Sequence, residues 1–168
     1  MGIDEDFGLA YAKAQAASQN RIPSSGKIFI SVKDRDKEQA ANIAARLLCQ
    51  GFKIMATRGT AKFLRERGLD AEVINKVAEG RPHVVDAIKN KEVDFVINTV
   101  TGAQAQKDSF SIRRTAIQHR VSYTTTMAGA LAAVTAIERL NQKQMGIKSI
   151  QEYHRQVCEN FNPKEVTG

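Results

Sequence analysis

The feature that most constrains the fold is a regular alternation of short β-rich runs with helical segments. Predicted strands begin near residues 28, 52, 71, 94 and 121, so successive starts lie about 24, 19, 23 and 27 residues apart. Each gap holds one helical segment. Alternation at this spacing favours right-handed βαβ crossovers. The predicted fold class is therefore α/β: a Rossmann-like three-layer sandwich with a five-stranded parallel sheet and helices on both faces.

Hydrophobic periodicity and the positions of Gly and Pro define the predicted elements. Strands are expected at residues 28–32, 52–56, 71–74, 94–98 and 121–123, and helices at 4–18, 37–50, 59–67, 83–89, 109–120, 126–140 and 149–160. The helix at 126–140 is apolar enough to predict a well-buried element. Gly51 and Gly68 each stand where a helix-ending residue belongs.

The polar linker SQNRIPSSG separates the first helix from this regular pattern. We therefore predict two parts: residues 1–25, which belong to something other than the main domain, and residues 26–168, the α/β domain. A domain of this length can bury a core of its own. No apolar stretch approaches the ~20 residues that span a bilayer, and the amino terminus has no signal pattern, so we expect a cytoplasmic location and no membrane partner.

The net charge of +7 is spread along the chain without a run of five basic residues. This distribution favours solvated helix faces and one local anion site over a nucleic-acid groove. The absence of Trp also disfavours a base-stacking platform. Cys49 is expected to be a core thiol and Cys158 an incidental one in the tail. The three His share no spacing with a Cys, so we expect no metal site, and no motif indicates a catalytic residue.

In an open parallel sheet, ligands bind at the carboxyl ends of the strands. Hydroxyls, amides, small residues and two lysines follow the predicted strands. Thr57 and Thr60 open a helix, where backbone N–H groups and the helix dipole favour a phosphate. Thr and Gly are common at such a turn, so these residues alone do not indicate a site. The hypothesis of a phosphate site depends on the polar residues that follow several strands and meet at one edge of the sheet. The candidate ligand-binding residues are Ser31, Lys37, Thr57, Gly59, Thr60, Lys76, Asn98, Thr99 and Thr101.

Four segments carry a family resemblance: KIFISVKDRDK, LLCQGFKIMATRGTAKFL, VINKVAEGRPHVVDAIKNKEVDFVINT and SIRRTAIQHRVSYTTTMAGALAA. Together they resemble the carboxyl-terminal regulatory domain of the carbamoyl phosphate synthetase large subunit, which has the methylglyoxal-synthase-like fold. The resemblance covers residues 26–157. Residues 1–25 resemble the end of the preceding synthetase domain of that subunit. The predicted boundary at residues 25–26 would then separate two domains of the large subunit.

The resemblance implies an effector site for nucleotide monophosphates, with UMP as inhibitor and IMP as activator. In that site the lysines and threonines would hold phosphate, and Asn98 would contact the ribose or base. Tyr123 and Thr125 match positions that contribute to a site for the activator ornithine. Val100 stands where relatives can carry Thr, which predicts the loss of one ribose or base contact. Residues 103–104 replace an arginine pair of some members, which predicts weaker nucleotide discrimination or signal transmission.

The resemblance also implies partners and cofactors. The partners would be the synthetase domains, through them the glutaminase small subunit, and a homo-oligomer formed through this domain. This domain would need no cofactor, whereas the parent enzyme is a ligase that uses ATP with Mg or Mn and makes carbamoyl phosphate for pyrimidine and arginine synthesis. The same fold hosts methylglyoxal synthase, a lyase acting on a triose phosphate. That alternative is disfavoured because the loop at Glu79 and Gly80 lacks the expected Gly-Asp pair. Binding to nucleic acid, motivated by net charge alone, is the third hypothesis.

Overall fold

The computed structural model describes residues 1–18, 20–99 and 103–160. Within these ranges, five strands form one sheet in the order β3-β2-β1-β4-β5, and every neighbouring pair is parallel. The strands are β1 (Lys27–Ser31), β2 (Lys53–Thr57), β3 (Glu72–Ile74), β4 (Phe95–Asn98) and β5 (Ser122–Thr124). The predicted α/β class with a parallel five-stranded sheet is confirmed.

Seven helices accompany the sheet in the same part of the chain. They are α1 (Phe7–Ala17), α2 (Lys37–Cys49), α3 (Arg58–Arg65), α4 (Val84–Lys89), α5 (Ala103–Gln118), α6 (Met127–Gln142) and α7 (Ile150–Asn160). Short 3₁₀ turns at Asp34–Asp36 and Val77–Glu79 follow β1 and β3. The largest difference from the prediction is the start of α5, which begins at residue 103 instead of 109. The segment AQAQK contains good helix formers but no apolar periodicity, so the pattern could not detect it.

The central strand β1 shows how the sheet divides the core into two layers. Ile28 and Ile30 point to one face and Phe29 to the other, and all three are fully buried. Residues of α2, α3 and α6 cover the first face. Residues of α4 and α5 cover the second. Because both faces are covered, the strands are almost continuously apolar instead of alternating with polar residues.

The order of the strands creates a switch point beside β1. The chain runs outward from β1 to β2 and β3, then returns on the other side of β1 as β4 and β5. Ser31 at the end of β1 lies opposite Asn98 at the end of β4. Helices leaving two strands in opposite directions open a crevice at their carboxyl ends, and this is where open α/β sheets bind ligands.

Helix α1 packs closely against α6. Leu9 and Ala12 on α1 are buried, and a Cβ added at Gly8 would lie 2.8 Å from the carbonyl oxygen of Thr135. An ion pair between Asp6 and Arg139, with 2.8 Å between Oδ2 and Nε, joins the same two helices. The first helix therefore rests on the α/β unit. Its origin in a preceding domain stays a prediction.

Two expectations about burial need correction. Cys49 is exposed, so the predicted core thiol is wrong. It is the last residue of α2, about 200° around the helix from the buried Leu47, and so faces away from the core. Helix α6 buries one face only, because Leu131 on its other side is half exposed. Among the described residues, no helix is long and apolar enough to cross a membrane.

Candidate functional site

A cleft of about 900 Å³ lies at the carboxyl ends of β1, β2 and β4. Eight of the nine residues predicted to bind an effector line it: Ser31, Lys37, Thr57, Gly59, Thr60, Lys76, Asn98 and Thr99. The ninth, Thr101, lies outside the described residues, as does Val100. The cleft therefore gathers residues that are up to 68 positions apart in the sequence, from Ser31 to Thr99.

The floor of the cleft carries a cluster of three hydroxyl groups. Thr57 Oγ1 lies 3.4 Å from Ser31 Oγ and 3.4 Å from Thr60 Oγ1. Thr57 and Thr60 are almost completely buried. These separations are long for O–H···O hydrogen bonds, whose usual length is about 2.7–2.8 Å. The hydroxyls are thus weakly satisfied by one another and can reorient towards an anion at little cost.

The amino terminus of α3 faces the same space. Thr57 is the residue that precedes the helix, and its side chain makes no capping hydrogen bond. The first backbone N–H groups of a helix have no partner within the helix and carry a partial positive charge. A Cβ built on Gly59 would find Lys37 Nζ, at 3.9 Å, as its nearest neighbour. A ligand anion can therefore approach the helix terminus between the backbone and an ammonium group.

The two predicted lysines stand at the mouth of the cleft. Lys37 Nζ lies 2.7 Å from Asp34 Oδ1 and 5.7 Å from the centroid of the Phe63 ring. A hydrogen bond from Lys37 lowers the pKa of the Asp34 carboxyl, and the charges of Lys37 and Lys76 lower this pKa further. Both ammonium groups therefore act on the same region of space. The positive charge is well suited to a phosphate dianion.

Asn98 is held on the inner wall by helix α5. Its Nδ2 atom donates to Ser109 Oγ at 3.0 Å, and Arg113 Nε also lies 3.0 Å from that oxygen. Asn98 is buried, so its orientation is set by these contacts. The side-chain nitrogen of Asn98 thus already donates to a neighbouring helix.

Sequence reasoning missed six polar residues that also line the cleft: Lys33, Asp34, Arg35, Glu79, Asp108 and Ser109. The first three lie inside the loop that follows β1, between the chosen Ser31 and Lys37, and the charged composition of the loop was a usable signal. Glu79 lies in the 3₁₀ turn after β3. The last two lie on α5, whose start was placed six residues too late. With the correct start, the first turns of the helix after β4 would have been included.

A second cleft of about 570 Å³ contains both residues that the resemblance assigns to an ornithine site. Tyr123 and Thr125 line it, at the end of β5 and just beyond, together with Asn20 from the linker. Helix α5 contributes to both clefts: Ser109 and Ile112 to the first, and other residues to the second. Helix α5 thus lines both clefts, with different residues in each.

The arrangement is suited to hold a small phosphorylated molecule. Ammonium groups, hydroxyls and helix N–H groups are the donors that phosphate oxygens accept from. The described residues contain no group of three or more His, Cys, Asp and Glu side chains that could hold a metal ion.

The fold and the cleft define a class of protein: an α/β domain with a ligand-sized crevice at the switch point of a parallel sheet. A family profile described as "MGS-like domain" matches residues 39–125. The chain belongs to the MGS-like domain family.

Several curated proteins are similar to almost the whole chain. The "Carbamoyl phosphate synthase large chain" of Nostoc sp. is 46% identical over 96% of this chain, and that of Xanthomonas campestris pv. campestris is 48% identical over 94%. In both cases the match covers 14% of the relative. The "Carbamoyl phosphate synthase large chain, C-terminal section" of Methanopyrus kandleri is 46% identical over 99% of this chain and 30% of its own length. The chain thus spans about one seventh of the length of the first two relatives.

Proposed function

We propose that this chain is the allosteric regulatory domain of a carbamoyl phosphate synthetase large subunit and binds nucleotide monophosphates in the 900 Å³ cleft. The observation that carries the proposal is the convergence of two lysines, a hydroxyl cluster and a helix amino terminus in one crevice. The similarity to carbamoyl phosphate synthase large chains supports the same assignment. UMP as inhibitor and IMP as activator are the expected ligands.

The phosphate would sit at the start of α3. There it can accept hydrogen bonds from the N–H groups of Gly59 and Thr60 and from the Thr60 hydroxyl, while Lys37 and Lys76 neutralise its charge. The nucleoside would extend along the floor towards Asn98, where the buried amide and its partner Ser109 offer polar contacts. A volume of about 900 Å³ is within the range typical of small-molecule sites.

Regulation requires more than binding. An effector shifts an equilibrium only if it prefers one of two states of the whole enzyme. The domain would therefore act through attached synthetase domains, and through them on the glutaminase small subunit. Ornithine would bind at the second cleft, beside Tyr123 and Thr125. Helix α5 contributes different residues to the two clefts and so connects them physically.

The lyase alternative has one observation in its favour, since the carboxylates Asp34, Glu79 and Asp108 line the cleft. A general base works best with a pKa near the working pH. Lys37 instead lowers the pKa of Asp34, and Glu79 Oε2 accepts a hydrogen bond from the backbone nitrogen of Lys76 at 3.0 Å. We therefore propose binding without turnover. Formation of methylglyoxal from dihydroxyacetone phosphate above background would overturn this part of the proposal.

The direct test is calorimetric titration of the chain with UMP and IMP. Lys76→Ala should weaken binding roughly tenfold, the amount expected for loss of one charged contact. Lys62→Ala is the matched control, because Lys62 is an exposed lysine on α3 outside the cleft, and it should bind as the unchanged chain does. The proposal fails if neither nucleotide releases heat at millimolar concentration, or if Lys76→Ala and Lys62→Ala bind equally well.

A further inference from the structure

One carboxylate that lines the cleft pairs with a lysine of the proposed anion site. Asp34 begins the 3₁₀ turn after β1 and lines the cleft. Its Oδ1 atom lies 2.7 Å from Lys37 Nζ, and the charge of Lys76 also acts on it. Each of these two lysines is assigned to the ligand phosphate. A negatively charged oxygen of the protein therefore already occupies part of the position at which a phosphate oxygen would bind.

The exposure of Asp34 and Lys37 determines which of the two side chains can move when the ion pair breaks. The Asp34 side chain is 94% exposed, whereas that of Lys37 is only 20% exposed. Lys37 Nζ also lies 5.7 Å from the centroid of the Phe63 ring. Because an exposed ion pair is weak, the carboxylate can leave at small cost, while the ammonium group stays at the cleft. Asp34 can thus leave this ion pair while the ammonium group of Lys37 keeps its position.

We propose that Asp34 is an internal competitor for the effector: its carboxylate binds Lys37 when the cleft is free of ligand and must be displaced by the phosphate. This inference rests on the proposed function and adds a residue that weakens binding. A bound dianion would be attracted by both lysines. Its binding would break the hydrogen bond between Lys37 and Asp34, and the dianion would then repel the displaced carboxylate. Asp34 would consequently raise the effector concentration at which the domain responds.

The experiment compares UMP and uridine binding to the chain and to Asp34→Asn by calorimetry at low ionic strength. Asp34→Asn should bind UMP about three- to tenfold more tightly, since it removes a weak competing pair and a repulsive charge. Binding of uridine, which has no phosphate, should change less than twofold. Asp34→Glu retains a carboxylate and should stay within about twofold of the unchanged chain.

Two controls separate a local effect from a change in net charge. Glu66→Gln removes one negative charge just after α3 and outside the cleft, and it should leave UMP binding nearly unchanged. In a Lys37→Ala background, Asp34→Asn should gain less than it does in the unchanged chain, because the contact that it frees is already gone. Equal gains from Asp34→Asn and Glu66→Gln would overturn the inference.

The outcomes distinguish this inference from the proposed function. If the unchanged chain binds UMP and Asp34→Asn binds it no more tightly, the competitor role is wrong and the effector site stands. If Asp34→Asn binds UMP at a concentration where the unchanged chain shows no heat, both are supported. If neither chain binds UMP or IMP at millimolar concentration, both are wrong. Circular dichroism melts of each variant show whether it is folded.

Discussion

At the scale of single residues, the ion pair between Arg46 and Glu138 stands out because the guanidinium makes two hydrogen bonds to the carboxylate. Arg46 on α2 donates to Glu138 on α6 through Nε at 2.7 Å and through a terminal nitrogen at 2.6 Å. These hydrogen bonds lower the pKa of the Glu138 carboxyl, against a smaller opposing effect of burial. The two side chains are about one quarter to one third exposed, so solvent reduces the energy of the pair.

Glu138→Gln should therefore lower the free energy of unfolding at pH 7 by about 0.5–1 kcal/mol. The pKa of Glu138 is lower in the folded state than the ~4.3 of an unfolded chain. Its stabilising effect is fully present above that value and is lost as the pH falls through the folded-state pKa. Urea unfolding of both chains at several pH values would check this. An unchanged difference between the two chains well below pH 4 would contradict the assignment.

The sequence predicted those cleft residues that directly follow a strand. Thr57, Thr60 and Asn98 were found because each stands at or just beyond a strand end, where a parallel sheet collects its ligand-binding groups. Asp34 and Ser109 were not chosen, because their importance depends on distances to Lys37 and Asn98 that no local pattern encodes. The exposure of Cys49, in contrast, follows from the helical periodicity of α2, which places this residue about 200° from the buried Leu47.

At the scale of elements, the alternation of strands and helices could be predicted because each element is short and helices end at recognisable glycines. Gly51 and Gly68 have positive φ angles, +83° and +74°, and end α2 and α3 as predicted. The start of α5 was not readable, because its first residues lack an apolar stripe. The position of α1 was also hidden, since packing of one helix on another depends on tertiary contacts, and the linker suggested separation.

Helix α1 offers a sharp prediction about its own packing. Leu9 is buried against α6, whereas Phe7 on the same helix is 65% exposed. Leu9→Ala should lower the free energy of unfolding by about 2–4 kcal/mol, the cost of removing buried methyl groups and leaving a cavity. Phe7→Ala should change it by less than about 0.5 kcal/mol. Chemical denaturation measures both. If Leu9→Ala were as mild as Phe7→Ala, α1 would not be docked on the α/β unit.

At the scale of the whole molecule, the chain has two clefts that are lined by different residues. The first lies where β1 and β4 separate, and the second lies beside β5. Helix α5 lines both, so an effector in one cleft and a ligand in the other would touch opposite ends of the same rigid element. Allosteric coupling needs an element with two arrangements that both ligands influence, and α5 is placed for that role.

The central claim is that a nucleotide monophosphate binds with its phosphate at the amino terminus of α3. Nuclear magnetic resonance of the isotopically labelled chain during titration with UMP tests this most directly, because each backbone amide reports its own surroundings. We expect the amide signals of Gly59 and Thr60 to shift most and to saturate together, while that of Thr124 in the second cleft shifts little. Saturable shifts confined to residues outside the first cleft, or no shifts at millimolar UMP, would contradict it.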